Sequence, residues 1–237
     1  MKVLWLTAIV LVLVATAAHA GDKNLSLILR GNYTTSSKLF INPDAPSEDQ
    51  RSQYAQFDGV TGGGVELRYH WFAENLFFTL SIDYLTKRQQ QDQLVAFAGT
   101  SNRVPVSDGF YCIPVELGVH TYIPLGSDLI RMSMGGGVGA YYGSRVLRVA
   151  DVEAARQNSP LKIGIHIVSG FEYRVLPGLW LRGDMRFRDP ELKTVNHFTQ
   201  QSTEYNNVTV TFPRSDFSSK INLDGLTFSV GIMVELL

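Results

Sequence analysis

The sequence predicts an all-β fold, an eight-stranded antiparallel up-and-down transmembrane β-barrel preceded by a cleaved signal peptide. Three observations carry this. Apolar and polar residues alternate with a period of two through eight separate segments, the connections between those segments alternate between short and long, and the first twenty residues have the make-up of an export signal.

The export signal comes first in the chain. Lys2 supplies the positive start, "VLWLTAIVLVLVATAA" the apolar run, and "AHA" (Ala18 to Ala20) a small-x-small site before Gly21. Residues 1–20 are therefore expected to be removed, leaving 21–237 as the barrel domain outside the cytoplasm. The residue directly after the cleavage site is Gly21 and not a cysteine, which argues against a lipoprotein. The lone Cys112 cannot form an internal disulfide, and neither cysteine nor histidine recurs at the spacing of a structural metal site. After residue 20 nothing approaches the ~18 uninterrupted apolar residues of a membrane-spanning helix, so any crossing must use strands. A formal net charge of -1 gives no sign of a nucleic-acid partner.

The strands follow in order. In "LSLILRGNY", Leu25, Leu27, Leu29 and Tyr33 oppose Ser26, Arg30 and Asn32. The second sets Val65, Leu67, Tyr69 and Trp71 against Glu66, Arg68 and His70, and the third sets Leu76, Phe78, Leu80, Ile82 and Tyr84 against Thr79, Ser81 and Asp83. In the fourth, Tyr111, Ile113, Val115, Leu117, Val119 and Ile123 oppose Cys112, Glu116, Gly118 and His120. The fifth places Ile130, Met132, Met134, Val138 and Tyr142 against Arg131, Ser133, Gly135, Gly137 and Gly139. The sixth places Ile163, Ile165, Ile167, Phe171 and Tyr173 against Lys162, His166, Glu172 and Arg174. In the seventh, Leu179, Leu181, Met185 and Phe187 face away from Arg182, Asp184, Arg186 and Arg188; in the last, Leu226, Phe228, Val230, Ile232, Val234 and Leu236 face away from Thr227, Ser229, Gly231 and Glu235. Pro114 removes a ladder donor and is expected to mark a bulge in the fourth strand.

Connections of two kinds join them. Ala73 to Asn75, "PLGSD" and "LPG" have tight-turn chemistry. The others, about 36–57, 88–108, 144–160 and 189–222, far exceed the usual median of about 4 to 6 residues and are expected to be four long extracellular loops. Short turns on one side and long loops on the other describe an outer-membrane barrel, and a soluble sandwich has no reason for such a rhythm.

Which face meets lipid follows from volume. An eight-stranded interior is only just wide enough for side chains, and eight faces of Leu, Ile, Phe, Tyr and Met would overfill it. With the faces inverted, Gly62, Gly64, Gly135, Gly137, Gly139 and Gly231 line the lumen and leave room for Arg30, Glu66, Arg68, His70, Asp83, Glu116, His120, Arg131, Lys162, His166, Glu172, Arg174, Arg182, Asp184, Arg186 and Glu235. Tyr33, Tyr69, Trp71, Tyr84, Tyr111, Tyr142, Tyr173 and Phe187 then fall at strand ends, where aromatic girdles meet headgroups. A "LPG" turn that sets Val175 opposite Leu179 puts Glu172 directly across from Arg182.

"YCIPVELGVHTYIPLG", "MSMGGGVGAYYG", "GIHIVSGFEYRV", "LRGDMRFRD" and the terminal "FSVGIMVEL" resemble the outer-membrane β-barrel domain family that includes PorT-like and opacity-like proteins. The resemblance runs from about residue 25 to the end. It implies a small eight-stranded barrel of Gram-negative outer membranes, inserted by the barrel assembly machinery, and it carries no catalytic residue. Such chains often end in an aromatic residue, whereas this one ends in Leu236 and Leu237, which weakens the insertion signal.

The expected function is that of a non-enzymatic membrane scaffold or surface-loop binding or adhesion module, with the lipid bilayer and an unidentified extracellular or periplasmic partner as its contacts. No cofactor, metal or catalytic residue is expected. A narrow or gated carrier of a small solute, or a part in a secretion or assembly machinery, is the alternative. A soluble lipocalin-like barrel, with the apolar faces turned inward, is a less favoured alternative, since the volume argument stands against it. A lipid-modifying enzyme needs a histidine base near the lipid side, but His70, His120 and His166 point inward, which leaves only His197 in the last loop.

Overall fold

The computed structural model describes residues 24–70, 75–97, 100–206 and 208–236. The signal peptide at 1–20, Trp71 and most of the Ala73 to Asn75 turn lie outside the described residues. The eight predicted strands are present and all neighbours are antiparallel. They are β1 (Leu25–Phe40), β2 (Tyr54–His70), β3 (Leu76–Phe97), β4 (Thr100–Ile123), β5 (Ile130–Val149), β7 (Lys162–Leu176), β8 (Leu179–Arg188) and β13 (Thr227–Glu235). Ladders run β1–β2–β3–β4–β5–β7–β8–β13 and back to β1, so this lower ring closes on itself.

The segments expected as loops are largely strand. Five further strands fill them: β6 (Val152–Asn158), β9 (Glu191–Phe198), β10 (Ser202–Tyr205), β11 (Val208–Thr211) and β12 (Phe217–Asn222), with a short helix α1 (Glu48–Arg51) between β1 and β2. Above the first ring β6, β9 and β12 take the places of β7, β8 and β13. β5 passes from β7 to β6, and β1 passes from β13 to β12 at Lys38↔Asn222. The β2–β3 ladder stops at Thr61↔Thr86, which leaves a seam in this upper tier. β3 and β4 continue as a hairpin from Gln89↔Asp108 to Phe97↔Thr100. Twenty-two residues at about 3.3 Å each reach well beyond the ~25 Å apolar band of an outer-membrane barrel.

Local chemistry accounts for the joints. Pro177 and Gly178 turn β7 into β8, with Gly178 at φ +78, and Gly126 at φ +65 serves the "PLGSD" turn. Ser159-Pro160-Leu161, Asp189-Pro190 and Leu223 to Leu226 interrupt the three strands that cross from one tier to the other. In two of the three a proline removes a ladder donor. Gly59 at φ +67, opposite Thr35, marks where β1 and β2 both invert, since the inward residues below it are even-numbered in each strand and those above it odd-numbered.

Two sequence expectations need correction. Pro114 sits in unshifted register, Pro114↔Tyr141, and no bulge forms. The β3 ladder instead skips Ile113 and Pro114 while keeping Ile82↔Val115 and Leu85↔Cys112 in phase, because the missing donor deletes a bond without adding a residue. At the "LPG" turn Leu179 pairs with Leu176 and Val175 is the bulged residue, yet Glu172↔Arg182 stands as expected.

Candidate functional site

Alternation sorts the side chains of the lower ring. Leu29, Leu67, Leu80, Leu117, Val138, Ile165, Leu181 and Val230 lie on the outer face, exposed, and the residues next to them along each strand point inward. Inside are five arginines (Arg30, Arg68, Arg182, Arg186, Arg188) and five carboxylates (Glu66, Asp83, Glu116, Glu172, Asp184), all buried. Equal numbers of opposite sign are what a lumen cut off from water requires.

The ion pairs form a layer across the lumen. Arg68 Nη2 lies 2.7 Å from Glu172 Oε1, and Arg182 Nη1 is 3.1 Å from Glu66 Oε1 and 3.4 Å from Glu172 Oε1. Arg186 bridges Glu116 Oε2 at 2.6 Å and Glu66 Oε2 at 3.1 Å, while Arg188 reaches Asp83 Oδ2 at 2.9 Å and Glu116 Oε1 at 3.2 Å. Arg30 contacts Glu66 and holds Asp83 Oδ1 at 2.9 Å; Arg182 Nε donates to Asp184 Oδ2 at 3.2 Å. Inner glycines make room for the layer. A Cβ on Gly139 would fall 2.8 Å from the Tyr141 ring and 2.9 Å from Glu116 Cγ, where the Tyr141 hydroxyl donates to Glu116 Oε1 at 2.9 Å.

Apolar side chains cover this layer on both sides. Towards the short turns lie Ile28, Trp180 and Met233, with Phe77 stacked on His120 at 5.2 Å and Arg68 4.1 Å above the Phe77 ring. Towards the upper tier Leu39, Phe57, Val60, Leu85, Phe110, Cys112, Tyr141, Leu192, Ile221 and Leu223 form one cluster. The sequence reading did not place Phe77, Leu85, Tyr141 and Trp180 inside. The signal was available, because each shares the parity of a charged inner residue on its own strand or of its neighbour.

Not every predicted lumen residue joins the layer. His70, Arg131, Arg174 and Glu235 line a cavity of about 670 Å³ at the short-turn mouth, where Arg131 lies 4.0 Å over the Trp180 ring and Trp180 Nε1 donates to Glu235 Oε1 at 3.0 Å. Lys162 is exposed at the interrupted start of β7, where the wall no longer encloses it. In the upper tier Arg145 grips Asp108 through Nε at 2.8 Å and Nη2 at 2.5 Å. His197 meets Gln157 and, at 4.0 Å, Asp216; no hydroxyl contact to its ring is among those of the described residues. On the outer rim Lys38 holds Asp224 at 2.6 Å, which keeps the lysine above its ordinary range. Hydrogen bonds from Lys193 and Ser218 hold Asp44 below the usual carboxylate range.

Comparison with known proteins agrees with this architecture. The family described as outer membrane protein beta-barrel domain matches residues 6–231. Among solved structures the chain is similar to the outer membrane protein OprG of Pseudomonas aeruginosa, with a TM-score of 0.51, 15% identity, and coverage of 90% of this chain and 97% of that one. Neisserial surface protein A (TM-score 0.44, 12% identity, 92% and 99% coverage) and the attachment invasion locus protein Ail of Yersinia pestis (0.43, 10%, 90% and 99%) are also similar. At these identities the likeness concerns the fold alone. No curated protein matches by sequence.

Proposed function

Because the chain belongs to the outer membrane protein β-barrel domain family, and so sits in the outer membrane, we propose that it is a closed, non-enzymatic barrel that anchors a binding surface. The upper tier, with its protruding β3–β4 hairpin, faces the outside and presents that surface to an extracellular partner. The observation that carries this reading is the lumen layer. Arg68 and Glu172 meet from opposite walls, and an apolar cluster seals the layer above, so the lower ring supports a scaffold rather than a water-filled pore. The charges inside serve register and closure, and the variable surface lies above the bilayer. We take the barrel assembly machinery as the partner that inserts the chain, reading β13 as the strand it meets.

The test is single-channel recording on refolded protein in planar bilayers, alongside surface binding by cells whose β3–β4 hairpin has been shortened between Gln89 and Asp108. Silent bilayers and loss of binding in the shortened variant are expected; a steady open conductance in the unmodified protein would overturn the closed-anchor reading. A narrow or gated carrier is the second reading. It draws on the interrupted wall between the tiers, where Lys162 to Ile165 of β7 pair with β5 but not with β8.

A further inference from the structure

We propose that Arg156, held by Tyr111 and Tyr142 on the outer wall, binds the phosphate of an anionic lipid headgroup. The outer wall changes character at the upper border of the apolar belt. On β3, β4 and β5 the outward alternation ends in Tyr84, Tyr111 and Tyr142, whose rings run side by side with centroids 6.3 Å and 6.4 Å apart. Tyrosines at such a border have their rings in the acyl region and their hydroxyls among headgroups.

Arg156 of β6 sits on top of this row. Its Nη1 donates to the Tyr111 hydroxyl at 2.8 Å and also to the Tyr142 hydroxyl, and its guanidinium lies 5.2 Å from the centre of the Tyr142 ring. The neighbouring arginines are neutralised, Arg145 by Asp108 and Arg148 by Glu153 at 2.8 Å. Among the described residues no carboxylate comes within ion-pair distance of Arg156, and Glu153, which shares its cavity, is held by Arg148. Two phenols hold one nitrogen of the fork, while Nε and Nη2 have no acceptor among those residues. Beside it a cavity of about 400 Å³ opens between Tyr111, Ser144, Glu153, Ala154 and Arg156.

A planar fork with two free donors matches two phosphate oxygens, and a phenol pair fixes its direction before the ligand arrives. Position then selects the source. A guanidinium bonded to the hydroxyls of the aromatic border is at headgroup depth, where the phosphates nearest to hand are those of lipids. This rests on the membrane-spanning reading of the lower ring but not on the closed lumen, so the two fail separately.

The experiment places refolded protein in nanodiscs of phosphatidylcholine doped with phosphatidic acid, transfers it to detergent, and counts retained lipid by native mass spectrometry. The unmodified protein is expected to keep phosphatidic acid over phosphatidylcholine by about tenfold, the scale of one charge-assisted contact. Arg156→Met should remove the preference, and Arg148→Met should leave it intact. Heat-modifiable migration checks that each variant is folded. Should Arg156→Met not fold, Arg156→Lys, which keeps the charge and loses the fork, should still weaken retention. Equal retention of both lipids, an unaffected Arg156 variant, or an equal loss in Arg148→Met would overturn the proposal. Complete displacement of the lipid by excess inorganic phosphate would also overturn it, by making free phosphate the ligand.

Discussion

Arg68 Nη2 lies 2.7 Å from Glu172 Oε1, although β2 and β7 are four ladders apart whichever way the ring is followed. Two side chains from diametrically opposite strands therefore meet near the axis, spanning the lumen at that height. Glu172 also faces its ladder neighbour Arg182 at 3.4 Å, so one carboxylate serves the across-barrel contact and the in-sheet contact together.

The first prediction concerns this pair. Arg68→Met or Glu172→Gln alone leaves a buried charge with part of its compensation gone, at a cost of about 3 to 5 kcal/mol. The double variant should cost less than the sum, because neither charge is stranded. Urea unfolding of refolded protein in detergent or lipid gives the cycle. Additive effects would mean that the two side chains do not meet.

A second prediction tests the outer face. Leu80 pairs with Leu67 on one side and Leu117 on the other, in the middle of the apolar belt. Leu80→Arg should cost roughly 2 to 4 kcal/mol in a reversible membrane-folding assay if it lies near the bilayer midplane. Gly137→Arg should disrupt by a different route, since the space a Cβ would need is already filled by the Leu117 carbonyl. A silent Leu80→Arg would reverse the assignment of faces.

These two sites show what could be read from the chain in advance. In the lower ring the two solvents differ as much as they can, hydrocarbon outside and a polar packed lumen inside, so each strand alternates sharply and Glu172↔Arg182 follows from one turn. In the upper tier both faces of the wall are partly polar: Glu191, Lys193 and Val195 alternate with Leu192, Thr194 and Asn196. With no lipid-facing row of large apolar residues, β9 and β12 look like loop. The lumen charges were recognisable by type, but their partners were not, because contacts such as Arg188 with Asp83 depend on ring closure and strand stagger rather than on spacing along the chain. Val175 escaped because a proline-glycine turn can be entered through a bulge, and Arg156 because its value comes from Tyr111 and Tyr142 on two other strands.

The third prediction is a pH dependence in the upper tier. Asp44, between β1 and α1, accepts from Lys193 at 2.6 Å, and its carboxyl is held below the ordinary range by the hydrogen bonds from Lys193 and Ser218. A depressed carboxylate contributes stability that is fully present above its unfolded value of about 3.9 and is lost as pH falls through the folded value. Limited proteolysis within residues 41–53 should therefore accelerate only on acidification below that range, and Asp44→Asn should show the fast cleavage at neutral pH as well. The site is exposed, so global unfolding should hardly move. Cleavage independent of pH in both proteins would show that the contact does not restrain the loop.

The last prediction concerns the interrupted wall. Arg174 N donates to Leu129 O on the β5 side, so by the two-residue period the even-numbered amides of β7 face β5 and the odd-numbered ones face β8. The β8 ladder begins only at His166↔Arg188, because Asp189-Pro190 turns the chain away, and β9 resumes against β12 and, higher up, against β6. Ile163 and Ile165 thus direct their amides towards a missing strand, although their side chains, 72% and 65% exposed, stand at the top of the lipid-facing row. A backbone donor without a ladder partner at that depth is costly and must be met by water or by local opening. Hydrogen exchange in nanodiscs should accordingly run faster at Ile163 and Ile165 than at Ile167 by on the order of a hundredfold, the factor that about 2.7 kcal/mol of missing local protection gives. Ile167, opposite Phe187 in an intact stretch, is the internal reference. Equal protection at the three isoleucines would mean that β7 and β8 stay bonded above His166, and the carrier reading would then lose the one observation that favours it.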